Sequence, residues 1–419
     1  MKPLSFLFIV ALLSSSFAAP LEPGSRRGGH QLNRALNLAT VSGAAYFISN
    51  EPGENNFVVT ANIAPNGELS LARAFRTGGK GSRGVTDPVN SPDPLFSQGS
   101  VVTSSNGSLL AAVNPGSNSI SPILSCKRAG EVESVGPPQS YALGEQEVSL
   151  AFNPVGDQLC ALNGGAKAGV ACFLVSSVKG MRACPSTNFR SLDLNQTTPP
   201  AGPAKTASHI LFSEDGTQVI AMIKGAPDAP GHLAVWDVDA KGTLSEKFTA
   251  IPPPAGGALP FGSSLIPGTN ALIATDPAVG FTVIDLKNQT KSSSIKVDGQ
   301  GAVCWVQRSK ATGNFYMTDI ATSLVTEVNV DENLNATIVK QYPQGDGFGT
   351  IDNKIVSLSG KDFMFVNGAN ATTINVMSLD APGQAKIIQQ LDMSPAAEAA
   401  GFKLNGFNIQ GMAAVVMAD

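Results

Sequence analysis

The chain has 419 residues, of which 14% are charged and 42% hydrophobic, with 28 Lys and Arg against 32 Asp and Glu. This mild acidity, with no basic run longer than a pair, argues against nucleic acid or an anionic membrane surface as partner. The 43 Gly and 28 Pro are spread along the whole chain, which suits a folded, turn-rich all-β protein better than a disordered one.

Residues 1–18 predict a secretory signal: Lys2, an apolar stretch over residues 4–13, and the small-residue end Ser16-Phe17-Ala18. The stretch is shorter than the roughly 18 apolar residues a spanning helix needs, and no later run approaches that length. Residues 19–40 are polar and are expected to be a pro-segment and N-terminal arm. Arg26-Arg27 within them is either a dibasic processing point or an exposed basic pair.

From residue 41 onward the pattern is strand, turn, strand. AAYFIS from Ala44, NFVVTANI from Asn56 and ELSLARAF from Glu68 predict three strands. Apolar hairpins then recur: VVTSSNGSLLAAV from Val101, VSLAFNPVGDQLCAL from Val148, SHILFSEDGTQVIAMI from Ser208, SSLIPGTNALIAT from Ser263, AVCWVQRSKATGNFYMT from Ala302 and KIVSLSGKDFMFV from Lys354. A period of roughly 40 to 60 residues with about four strands per repeat marks a β-propeller. Helical signal is confined to SPAAEAAGFKL from Ser394.

The first repeat lacks one strand, and FNIQGMAAVV from Phe407 is a strand without a hairpin partner. The expected fold is therefore all-β: one seven-bladed β-propeller over residues 41–419, closed by the C-terminal strand completing the first blade, which removes exposed sheet edges.

In such a ring the loops joining one blade to the next share a face with the loops between second and third strands, and ligands usually sit there. The first inter-blade loop, residues 76–99, is long enough to suggest function. The five sequons, at Asn106, Asn195, Asn288, Asn335 and Asn370, lie beside predicted turns and agree with a secreted glycoprotein. Of the five cysteines, Cys160 and Cys172 flank a Gly-Gly turn and are expected to pair across a hairpin. Cys126 and Cys184, on outer strands of neighbouring repeats, are the candidates for a second bridge, leaving Cys304 as a buried thiol.

Several loop segments carry a family likeness: TGGKGSRG at Thr77, DPLFSQ at Asp93, TTPPAGP at Thr197, FSEDG at Phe212, FGSSLIPGT at Phe261, GQGAVCW at Gly299 and QGMA at Gln410. In this order they resemble the secreted fungal proteins described as 3-carboxymuconate cyclase-like, within the seven-bladed lactonase propellers. The resemblance implies the fold more firmly than the chemistry. It implies lactone formation or opening on a small carboxylated compound, without a cofactor; the related intracellular enzymes use a His, Arg and Glu group at the pore mouth.

That chemistry needs cations to hold carboxylates and an acid or base to move a proton. Of the three histidines, His209 alone starts an inner strand, so it is the first catalytic candidate, titrating near neutral pH, with Glu147 as its companion. Lys80 and Arg83 in the long loop, Lys205, Lys224 and the carboxylate of Asp319 are the candidate substrate-binding groups. The histidines and acids show no metal-ligand spacing. No nucleophile elbow, phosphate loop or zinc-protease motif is present. A monomer taking either a small carboxylate or lactone, or an extracellular or cell-wall component, is expected. In the second case the propeller is a non-catalytic display platform of the adhesin or antigen type.

Overall fold

A computed structural model describes residues 41–86, 91–125, 132–138, 144–184, 189–226 and 228–417. The expected signal, the expected arm and Cys126 lie outside the described residues, and with Cys126 the expected second bridge.

The strands form seven antiparallel sheets, each with its innermost strand next to the axis. The inner strands of the second to seventh blades are Val101–Thr103, Glu147–Phe152, Ala207–Phe212, Ser263–Ile266, Val303–Arg308 and Thr350–Leu358. Each follows its sequence marker within a few residues. The first blade takes its inner strand from Gln410–Val416, paired antiparallel with Gly43–Ile48, so the expected ring closure is present.

Burial explains why the sequence writes second and third strands as nearly unbroken apolar runs. Blades pack face to face, so both faces of these strands are covered: Leu109–Asn114 and Ala271–Asp276 are buried throughout. The outer strands Ala336–Pro343 and Ala385–Asp392 are largely exposed and mix polar with apolar residues, leaving Ile338, Val339 and Ile387 at the surface. Trp236, Trp305, Tyr46 and Tyr316 are among the largest fully buried side chains between blades. The Asp215-Gly216 turn has Gly216 at φ +73°, a backbone that glycine adopts without steric cost. Its Asp215 carboxylate accepts from Thr217 N–H at 3.0 Å.

Three features refine the sequence reading. The third strand of the first blade runs Leu69–Lys80, so the first inter-blade loop begins later than residue 76. The helix spans only Ser394–Ala399. The third blade gains a short strand, Arg190–Ser191, against Gly169–Val170. Cys160 and Cys172 face each other across paired strands and are bonded, with Cα atoms 4.0 Å apart. Among the described residues no helix is long and apolar enough to cross a membrane.

Candidate functional site

The segment after Asp93, part of the first inter-blade loop, inserts into the axis of the ring. Gln98 is its key. Its amide Nε2 donates to the carbonyls of Ser263 (3.2 Å) and Val306 (3.4 Å), and its Oε1 accepts from Val306 N–H at 3.0 Å. Its backbone N–H donates to Ser208 O, and its carbonyl accepts from Ser149 Oγ at 2.6 Å. The neighbouring Ser97 carbonyl receives Trp305 Nε1 and Gln410 Nε2, both at 2.9 Å. Four inner strands and the closing strand are thus tied to one loop, which divides the pore into two cavities.

The first cavity, about 390 Å³, runs along the axis and opens at the turns between inner and second strands, where Ser105, Pro154 and Glu214 form its mouth. Its walls carry His209, Ser263, Gln307, Asp352, Asn353 and Lys354. Gln98 and Gly99 line this cavity beside His209, and Gly99 approaches the imidazole ring.

His209 Nδ1 accepts the backbone N–H of Ser263 at 3.2 Å, with Ser263 Oγ at 2.8 Å. This puts the ring proton on Nε2, which has no protein partner among the described residues. Burial pushes the His209 pKa down to about 3, because the imidazolium would lose its hydration. The expectation of a histidine titrating near neutral pH is therefore corrected: His209 is a neutral hydrogen-bond donor. The Lys354 side chain, on the wall of the same cavity, makes no hydrogen bond or ion pair with any described residue, and burial lowers its pKa. Asp352 Oδ2 accepts from Gln410 Nε2 (2.7 Å) and Gly411 N–H (2.8 Å), while burial raises its pKa to about 8.

The other candidates are not gathered here. Glu147 is buried, its Oε2 has no hydrogen-bond partner among the described residues, and burial raises its pKa to about 8; it does not line the channel with His209. Lys80 ends an outer strand as an exposed side chain, not a loop cation. Arg83 is a structural clamp, donating to Phe407 O (3.1 Å), Asn408 Oδ1 (2.9 Å) and Ser91 O. Lys205 is exposed at φ +60°, and its carbonyl accepts from Gln196.

Asp319 is also structural. Its carboxylate accepts four backbone N–H groups, from Gly301 (2.8 Å), Ala302 (2.9 Å), Ala321 (2.9 Å) and Thr322 (3.1 Å). Asp276, at the same strand end one blade earlier, does the same for Ala258, Leu259 and Ala278. The repeated Thr-Asp in IATDPA and YMTDIA is the sequence signal that marks both as scaffold.

Lys224 lies in the second cavity, on the inter-blade-loop face, together with Asp93 and Cys304. The sequence reading gave Lys354 and Asp352 no role; the consecutive polar residues Asp352, Asn353 and Lys354 inside an inner strand, TIDNKIVSL, were the available clue.

The sequence matches no known family profile and no curated protein. Solved structures do share its fold. A candidate 6-phosphogluconolactonase from Bacteroides uniformis has a TM-score of 0.64 at 13% identity, over 88% of this chain and 99% of that one. A second candidate 6-phosphogluconolactonase, from Bacteroides fragilis, has a TM-score of 0.60 at 13% identity, over 89% and 98%. The periplasmic gluconolactonase of Pseudomonas aeruginosa has a TM-score of 0.60 at 15% identity, over 84% and 96%. At such identities the likeness is one of fold.

Proposed function

We propose that the protein is a secreted, glycosylated propeller that binds a small carboxylate or lactone in its axial channel, with lactone formation or opening of the carboxymuconate type as its reaction class. The observation that carries this reading is Lys354, a cation on the channel wall whose ammonium makes no ion pair with any described residue. A ligand carboxylate supplies that anion. His209 Nε2–H, from the fourth blade, then donates to a ligand oxygen.

In ring closure the carboxylate oxygen forms a bond to an alkene carbon, and the alkene electron pair takes a proton at the adjacent carbon. A lysine with a lowered pKa suits that proton transfer, and water returns the proton to the amine. All five sequon asparagines, Asn106, Asn195, Asn288, Asn335 and Asn370, are exposed, which supports glycosylation and passage through a secretory route.

The non-catalytic platform remains the second reading, favoured by one observation: His209 is held neutral and, among the described residues, its ring hydrogen-bonds to Ser263 and to no carboxylate. Incubating the purified protein with muconates and lactones, followed by ultraviolet absorbance, separates the two. Turnover lost in Lys354→Met supports the enzyme reading; no turnover by wild type across the panel supports the platform.

A further inference from the structure

The second cavity is larger, about 670 Å³, and lies on the other face beyond the Gln98 segment. Its walls are apolar: Val85, Pro92, Phe96, Pro203, Leu259 and Phe261. A cavity of this size, apolar and with few polar groups, has the make-up of a small-molecule site.

The polar groups are gathered at its base. Lys224 is 3% exposed, and its ammonium sits 4.2 Å from the centroid of the Phe261 ring and makes its only hydrogen bond among the described residues to the carbonyl of Phe96. An ammonium has three donors, so N–H groups are left over in a place where water is scarce. Asp93, 8% exposed, accepts from Ser97 N–H at 3.2 Å and interacts with Lys224 through space without closing an ion pair. Burial raises the Asp93 pKa and lowers that of Lys224, each shift partly offset by the opposite charge.

One cation and one acid sum to no net charge, so a charged ligand placed between them would bury an extra charge at a high cost. A hydroxyl suits both groups at once, accepting from the ammonium and donating to the carboxylate. The rings of Phe96 and Phe261 line the cavity and give an aromatic body apolar surface to pack against. We propose that this cavity binds a neutral, ring-bearing hydroxyl compound, a phenol in chemical class, with its oxygen between Lys224 and Asp93.

The site is separate from the axial channel and does not depend on the function proposed for it. Calorimetric titration of the full protein with 2-naphthol and 2-naphthoate tests it, alongside Lys224→Met and Ala204→Trp. Ala204 is an exposed residue at the cavity wall, so the tryptophan blocks entry without disturbing the buried pair. We expect 2-naphthol to bind, 2-naphthoate to bind at least about tenfold more weakly, and each variant to weaken 2-naphthol by about tenfold or more. Equal or tighter binding of 2-naphthoate overturns the neutral-ligand assignment. No heat with 2-naphthol, or undiminished binding to a folded Ala204→Trp, overturns the site.

Discussion

His209 Nδ1 receives the backbone N–H of Ser263 across the junction between the fourth and fifth blades, so this imidazole is a neutral strut between inner strands as well as part of the channel wall. Its folded pKa of about 3 lies below the ordinary value of 6.5. The unfolded chain therefore binds a proton that the folded chain refuses. Stability from this group is complete above pH 6.5 and falls as the pH drops toward 3.

The slope is up to about 1.4 kcal/mol per pH unit. Replacing His209 by Gln should flatten the dependence of melting temperature on pH between 3 and 6.5. An unchanged profile would show that the imidazole is protonated in the fold. Should turnover be found, its pH profile carries no His209 inflection near neutrality.

Glu147 carries the opposite sign. Its folded pKa of about 8 exceeds the ordinary 4.5, so the folded chain keeps a proton that the unfolded chain releases, and stability falls as pH rises from 4.5 to 8. Glu147→Gln keeps the shape without the titration. Melting curves should show the variant gaining on wild type toward pH 8, with the two converging near pH 4; a gap of constant size would refute the assignment.

Asp319→Asn replaces one acceptor oxygen by a donor in a site built from four backbone N–H groups. We expect a loss of about 2–3 kcal/mol in urea unfolding, with binding in either cavity unchanged in the folded protein. A variant of wild-type stability but impaired ligand binding would restore Asp319 as a functional residue.

The bond between Cys160 and Cys172 closes a loop of sequence separation 12. Replacing both by Ala should cost about 3 kcal/mol, and peptide mapping of unreduced protein should recover them on one linked fragment. Recovery of either residue alkylated without reduction would remove the bridge.

The ring was legible because turn residues and unbroken apolar runs recur together, and because the unmatched strand near Gln410 answers the strand missing beside Gly43. The channel was less so. Lys354 shares a strand with buried Ile351 and Val356, and which of these faces the axis is decided by sheet placement rather than by local pattern. The shift of His209 was hidden for a different reason: its burial comes from Gln98 and Gly99, more than a hundred positions away in the chain. The structural role of Asp319 is encoded only in the Thr-Asp pair it shares with Asp276, which accepts backbone N–H groups at the equivalent strand end.

Ring closure also sets an order of assembly. Gly43–Ile48 is synthesised well before its partner Gln410–Val416, with the strands of the other six blades encoded between them. Until then the first blade presents an open strand edge, and Asp352 waits for the amide of Gln410. A nascent chain thus holds six blades' worth of sequence in an unfinished ring, and protection of that edge by a chaperone matters for the whole interval of synthesis.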